Sequence, residues 1–452
     1  MGPMLQIFYA GMAFFVGFSL GKGVRKRSVS MGWLKKFQSE NRYVVFFFLY
    51  VGFCISYIDR SAIGLALPSI SKDFTLAPTQ MGVVISAFFI GYSIMQLPGG
   101  WMADKFGSKS VILIALTLWS IFTFMTGHAS SLAGLLFLRF VFGLCEGPYA
   151  GACYRGIAEY FPRELRPAFA TGVLSSNYIG SAIAPIIIVP LILWFGWRGM
   201  FQALGCIGLV YVFFYVFFYA FFYAFFVKQV KPAEEEKAGA KKGSKKEYFL
   251  KLLHFSIIWK LVVCAFCISC INKGLDAWMP TYLIAERGIN LKAVGYVTPI
   301  PFMASFLSTA VCGWIMNKYF DRVEQYMIGI CAVMTAVFLY LMYNAETLFW
   351  VVVFQCGVYF FKACILGSAV AIVLKIVTGN IAGSATMIVN MGGQVAGFIS
   401  PVVMGYLVSV FNGSFNAVFY YLIGAASVCA LSAFLIPKRK EAMLDLGEGS
   451  EE

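Results

Sequence analysis

The sequence predicts an all-α membrane protein: twelve transmembrane helices arranged as two six-helix bundles. Three observations carry that expectation. Of 452 residues, 60% are hydrophobic and only 12% are charged, about half the charged share of a soluble domain. The apolar residues fall in blocks long enough to cross a bilayer, which takes about 20 helical residues each, and the mean hydropathy is +0.80. One polar, charged stretch near the middle divides those blocks six and six.

Taken in order, spans are expected at 43–70, 78–103, 109–127, 131–158, 167–194 and 198–227, and then at 256–285, 293–317, 325–344, 347–377, 381–411 and 414–436. The stretch between them, KQVKPAEEEKAGAKKGSKKE, contains Pro232, Gly239 and Gly243 and too few apolar residues to bury a core. The expected organisation is therefore an N-terminal segment (1–42), a first bundle (43–227), a cytoplasmic linker (228–253), a second bundle (254–436) and a cytoplasmic tail (437–452). Within the first segment, MLQIFYAGMAFFVGFSL is apolar and GKGVRKR follows it. Charges after the apolar part do not make a signal peptide. The stretch is either an extra span or sequence upstream of a start at Met31.

Charge placement gives orientation. Lys105, Lys109, Arg163, Arg166, the linker, Lys318, Arg322 and Lys438 to Lys440 fall in even-numbered connectors or the tail. The odd-numbered connectors, with Lys72, Arg198, Arg287 and Lys292, are poorer. Both termini of the twelve-span unit are expected in the cytoplasm, with the chain in the inner membrane. The net charge of +14 thus reflects topology, and no nucleic-acid partner is expected.

Twelve cysteines do not indicate metal or disulfides, because Cys54, Cys145, Cys264, Cys267 and most others lie inside apolar blocks, where they act as small hydrophobes. His128 and His254 lie near span ends and carry no expected catalysis. The aromatic run from Phe213 to Phe226 reads as lipid and bundle contact. There is no phosphate-cradling loop. Neither an enzyme nor a cofactor is expected, and the working unit is expected to be a monomer. The halves look related: Pro68, which reads as ending the first span, and Pro280, within the seventh, and Gly100-x-x-x-Asp104-Lys105 and Gly313-x-x-x-Asn317-Lys318, are each about 212 residues apart. Repeats of this kind place a substrate site between the halves near mid-membrane.

A charge at mid-bilayer costs at least about 2.5 kcal/mol on insertion scales. Asp59, Arg60, Arg139, Glu146, Lys273 and Lys362 all fall inside spans. Tyr57 and Arg60 are three residues apart and share a helix face; Asp59 is one step, about 100°, round. Arg60 is permanently charged, and its forked donors match a carboxylate or phosphate. The alternative is that it only pairs with Asp59 or Glu146. Arg139, Gly143, Glu146 and Ala150 form one helical stripe. A buried carboxyl that changes protonation as its surroundings change is what a proton-coupled carrier needs, so Asp59 and Glu146 are the proton-site candidates. A static Arg139–Glu146 pair is the alternative. Lys273 and Lys362 either add cations for a second carboxylate or a phosphate, or pair with Asp276 or snorkel. The connector Gly99-Gly100-Trp101-Met102-Ala103-Asp104-Lys105-Phe106-Gly107-Ser108-Lys109 reads as a conformational latch, with Asp104 holding cationic partners across the inner face.

That connector resembles the loop signature of the major facilitator superfamily. Tyr57-Ile58-Asp59-Arg60 through Ala66 to Pro68 resembles its anion:cation symporter family. So do Gly143-Leu144-Cys145-Glu146-Gly147-Pro148, ending in Tyr160-Phe161-Pro162 and Glu164-Leu165-Arg166, and Trp278-Met279-Pro280-Thr281-Tyr282-Leu283 with Arg287-Gly288. The resemblance covers residues 43–436 and implies the major facilitator fold. It implies that Asp59 and Glu146 are the protonated carboxyls and that Arg60 holds the substrate carboxylate. It also implies that Tyr57 and Tyr92 line the pocket, with Asn177, Asn390 and Gln394 adding polar groups to the substrate site. Three features depart from the family pattern: Gln394 stands where asparagine is commoner, Asn317 replaces an expected aspartate, and the buried Lys273 and Lys362 are unusual. The function implied is proton-coupled symport of a small organic anion, a sugar acid or other carboxylate, by alternating access. An exchanger of organic phosphate for phosphate is the first rival, and a membrane sensor that binds an anion without moving it is the second.

Overall fold

A computed structural model describes residues 42–161, 165–226, 255–320, 323–376 and 382–437. The N-terminal apolar stretch, the linker, Arg163, His254, Arg322 and the lysines of the tail lie outside them. Regular structure among the described residues is helical throughout.

The first half opens with α1 (Arg42–Phe74), α2 (Pro78–Phe106), α3 (Ser108–Thr126) and α4 (Leu132–Tyr160). A helical run Arg166–Phe226 then breaks at Gly196, whose φ of 68° and ψ of 174° fit neither an α-helix nor most side chains. The break makes two antiparallel helices, α5 (166–195) and α6 (197–226). Gly172 packs against the Phe46 ring, and the Tyr211 hydroxyl donates to the Phe48 carbonyl at 2.5 Å. Positions far apart in sequence on α5 and α6 thus meet one level of α1. The second half has α7 (Ser256–Ala285), short α8 (Leu291–Val297), α9 (Pro299–Tyr319), α10 (Glu324–Tyr343), α11 (Leu348–Ile376), α12 (Ala382–Val410) and α13 (Asn416–Phe434). Eleven stretches are long and apolar enough to span a membrane; one is 168–217, which Gly196 folds in two, and another, Leu291–Met316, joins α8 to α9. The described residues therefore make twelve crossings, and the chain is a multi-pass membrane protein.

Local chemistry sets several helix starts. Pro78 opens α2, where a missing N–H costs nothing. The Ser131 hydroxyl accepts the Gly134 N–H at 3.1 Å to cap α4, and the Asn290 side chain accepts the Ala293 N–H at 2.8 Å to cap α8. Gly107, at φ 81°, makes the turn from α2 to α3. Pro68 does not end α1, as the sequence suggested; the helix runs on to Phe74. Proline removes one backbone hydrogen bond, and inside a packed membrane bundle that loss is tolerated.

Helices in lipid gain little from burying apolar surface against each other, so close packing and hydrogen bonds hold them. The two halves meet most tightly at the end carrying the α1–α2 turn. A Cβ at Gly82 of α2 would lie 2.3 Å from the Pro401 carbonyl oxygen of α12, and one at Gly405 of α12 would lie 2.4 Å from the Pro78 carbonyl oxygen of α2. The contact is reciprocal: each helix offers a proline carbonyl to a glycine of its neighbour. One turn deeper, the Ser86 hydroxyl donates to the Phe398 carbonyl at 2.6 Å. A shared core of Leu67, Ile70 and Ile188 with Trp278, Leu283 and Val294 seals this end. At the other end Trp101, Asp104, Asn390 and Met391 are exposed. The molecule is closed at one end, with a cavity between its halves.

Candidate functional site

The cavity is bounded by α1, α2, α4 and α5 on one side and α7 and α9 on the other. It holds about 700 Å³ of empty space, part of it continuous with solvent, and its walls include Tyr57, Arg60, Arg139, Asn272, Lys273 and Asp276.

On the first half, α1 supplies the key residues by its helical spacing. Arg60 stacks over three rings, with its guanidinium carbon 4.7 Å from the Tyr57 centroid, 4.5 Å from Tyr92 and 5.2 Å from Phe88. This aromatic collar orients a cation and costs it little polar contact. Arg60 Nε donates to Glu146 Oε1 at 2.7 Å. The Ser56 hydroxyl, one turn earlier, donates to the same oxygen. Glu146 Oε2 is buried with no hydrogen-bond partner among the described residues. Glu146 is 1% exposed while Arg60 keeps 16%, on the cavity. One partner of the pair is sealed and the other is reachable.

Asp59 is 1% exposed, and neither of its oxygens has a hydrogen-bond partner among the described residues. The Trp119 indole N–H of α3 faces it and is equally unpartnered. Arg139 is buried over the Phe142 ring at 4.7 Å, and its charge acts on both Glu146 and Asp59 from beyond salt-bridge distance. Of the pairings open to the sequence, the structure selects Arg60–Glu146 over Arg139–Glu146. Gly143, on the same stripe, has a different duty: a Cβ there would lie 2.1 Å from the Phe88 carbonyl oxygen, so it lets α4 close on α2.

On the second half the two unusual lysines part ways. Lys362 of α11 donates to Asp276 Oδ1 at 2.7 Å, and the Tyr359 hydroxyl reaches the same oxygen at 2.5 Å. Lys273 of α7 donates to the Gly393 carbonyl at 2.9 Å and to Gln394 Oε1 at 2.7 Å, both on α12, and lies 4.8 Å from the Phe89 centroid. Among the described residues it has no carboxylate partner.

The remaining expected site residues divide. Tyr92 lies beneath Arg60. Asn177 on α5 is partly buried with its Oδ1 unpartnered, and Ser181, one turn on, is the α5 residue on the cavity wall. Asn390 is exposed at the open end, and Gln394, one turn deeper, holds Lys273. In the connector, Gly100 is open and Gly107 forms the turn. Asp104 lies 3.5 Å from Arg155 of α4, which pairs with Glu159 at 3.1 Å, and Lys105 packs 4.8 Å from the Trp101 centroid. Lys109 starts the next helix. The Asp104 partner described is within its own half, not across the inner face. Sequence reasoning passed over Ser56 and Asn272. The first was legible as the residue one turn from Arg60 on the same face, and the second as the polar neighbour of Lys273.

Comparison with known proteins fits this geometry. The Major Facilitator Superfamily model matches residues 49–361. A Cupriavidus necator protein named "Probable sulfoacetate transporter" is 30% identical over 410 residues, 88% of this chain and 94% of that one. An Escherichia coli protein named for galactarate/D-glucarate transport is 27% identical over 431 residues, 88% and 94% of the two chains. The hexuronate transporter of Bacillus subtilis is 27% identical over 405 residues, 87% and 94%. Among solved structures, a bacterial homologue of the human lysosomal transporter Spinster, in an inward-facing conformation, superposes with a TM-score of 0.71 at 16% identity, covering 87% of this chain and 94% of that one. The D-xylose-proton symporter does so at 0.70 and 15%, covering 88% and 98%. A helical fold of twelve crossings around an inter-half cavity, a family model over most of the chain and transporter relatives along nearly their full length agree: this protein is a member of the Major Facilitator Superfamily, a transporter and not an enzyme.

Proposed function

We propose that the chain is a proton-coupled symporter of a small organic anion, a sugar acid or related carboxylate, working by alternating access. The observation that supports this most is the Arg60–Glu146 pair on the cavity wall, with a second carboxyl, Asp59, one residue from Arg60 and without a hydrogen-bond partner among the described residues. Arg60 cannot serve two anions fully. While Glu146 is ionised it holds Nε and competes with a carboxylate from solution. A proton on Glu146 weakens that pair and frees the guanidinium for the substrate. Proton uptake and anion binding therefore favour each other, which is the linkage symport requires. Arg139 places a second positive charge near both carboxyls.

The relatives named for sulfoacetate, galactarate, D-glucarate and hexuronate support an organic anion as the cargo. The excess of Lys and Arg in even-numbered connectors orients the open end toward the cytoplasm, making the described state inward-facing in an inner membrane. Uptake into proteoliposomes tests the reading. Sulfoacetate, D-glucarate, D-galactonate and D-glucuronate are offered under an inward proton gradient, or against internal phosphate without one. Accumulation driven by the proton gradient supports symport. Uptake that needs internal phosphate and ignores pH indicates an exchanger.

A further inference from the structure

We infer that Lys273 is a specificity residue that selects substrates with two anionic groups, a dicarboxylate or a carboxylate–sulfonate, by binding the end of the molecule that Arg60 does not. The inference rests on the proposal that Arg60 takes the first carboxylate.

Four cations and three carboxyls surround the cavity, and two of the cations are answered directly: Arg60 by Glu146 and Lys362 by Asp276. Arg139 also touches the cavity, but it is 1% exposed and its charge is spread over Asp59 and Glu146. Lys273 remains. It lines the same cavity as Arg60 and is near enough for the two charges to repel, yet it comes from the opposite half. Its partners among the described residues are neutral acceptors, and an ammonium has three donors, so these two bonds leave one N–H available.

The side chain has a purpose-shaped channel. A Cβ at Gly397 of α12 would lie 2.8 Å from the Lys273 Cδ and 2.9 Å from its Nζ, so the absence of a side chain there is what lets the lysine lie along α12 toward Phe89. Gln394 Oε1 accepts one of its N–H groups at 2.7 Å. Gln394 is a positioning residue in this scheme. Lys362, by contrast, is 2% exposed and committed to Asp276 and to the face of Tyr359, so the second anionic group is not its ligand.

With every carboxyl ionised the cluster carries one net positive charge, and with one of Asp59 and Glu146 protonated it carries two. A dianion plus one proton then leaves the cavity neutral, whereas a monoanion leaves a charge stranded between the halves. A dianion also ties α1 of one half to α7 of the other, which draws the halves together around the loaded site.

D-glucarate and D-gluconate share a six-carbon chain and differ chiefly in one terminal carboxylate, so the pair isolates the second charge. Affinities of the purified full chain for both should favour D-glucarate by at least tenfold. Lys273→Gln should weaken D-glucarate at least thirtyfold and change D-gluconate less than threefold, while Lys273→Arg should keep the preference. A wild-type protein that binds the two equally, prefers D-gluconate or binds no dianion of the panel overturns the inference without any variant. Equal losses of both ligands in Lys273→Gln overturn it too. Arg60→Ala separates the two levels: loss of both ligands there, with no selectivity from Lys273, leaves the symport reading standing and removes only this one, whereas binding retained by Arg60→Ala removes the parent reading.

Discussion

Gly82→Ala should hold the molecule open at the end that is closed in this structure. The added Cβ would lie 2.3 Å from the Pro401 carbonyl oxygen, 2.9 Å from its carbon and 3.0 Å from the Val402 Cα. Those are backbone atoms in the middle of a helix and cannot swing aside. Restoring ordinary contact near 3.4 Å moves α2 and α12 about 1 Å apart, and overpacking of that kind costs about 1–3 kcal/mol. The cost falls only on the state in which the helices touch. At about 1.4 kcal/mol per tenfold, the equilibrium should shift about 5- to 150-fold toward the state with this end parted. Spin labels at Lys72 and Asn412, exposed positions on opposite halves at this end, report the change in a background freed of reactive thiols. The label distance should lengthen. Transport should slow, while anion affinity stays close to wild type, because Gly82 is about two helical turns from the Phe88 and Phe89 rings that face Arg60 and Lys273. An unchanged distance distribution with normal turnover would refute the assignment of this contact as the gate. Gly405→Ala meets the Pro78 carbonyl at 2.4 Å and should behave alike, with the double variant less than additive because both act on one interface.

Arg60→Ala should weaken anion binding by about 2–5 kcal/mol, the usual loss when one partner of a buried charge pair is truncated, so that saturation disappears in an equilibrium binding assay. Arg60→Lys keeps the charge but not the fork and should bind about tenfold more weakly than wild type. Glu146→Gln should preserve exchange of labelled for unlabelled anion across proteoliposomes while abolishing accumulation driven by a proton gradient; accumulation at the wild-type level removes Glu146 from the proton path. Arg155→Ala should change stability by no more than about 1 kcal/mol, since its bonds to Asp104 and Glu159 are half-exposed. A larger fall in melting temperature than about 4 °C would show that this corner matters more than exposed ion pairs usually do.

Much of the fold was legible because lipid imposes simple rules. Apolar length marked the spans, and the break near 194–198 fell where Gly196 turns the chain. The charged residues inside spans were legible for the same reason, since each is too costly to be idle. Their partners were legible only as open alternatives, with nothing local to decide among them. Arg139 and Glu146 lie on one helical face and read as a pair, yet Glu146 turns to Arg60 of a different helix, and which helix faces which is a tertiary fact. Lys362 and Asp276 are 86 residues apart, with no local pattern to join them. Pro68 read as a terminus because proline propensity in water was weighed without the packing that carries α1 through it. The gate did leave a trace: Pro78-x-x-x-Gly82 and Pro401-x-x-x-Gly405 share one spacing, but a Pro–Gly repeat acquires meaning only when the two helices are seen to be antiparallel partners.

The proposed symport depends on linkage between the anion at Arg60 and a proton on the carboxyls beside it. Proton exchange with weakly buffered solution, followed as D-glucarate binds the purified protein, measures that linkage directly. Net proton uptake should accompany binding in wild type and should vanish in Asp59→Asn/Glu146→Gln while binding persists. Binding with no proton uptake in wild type, or the same uptake in the double variant, would contradict it.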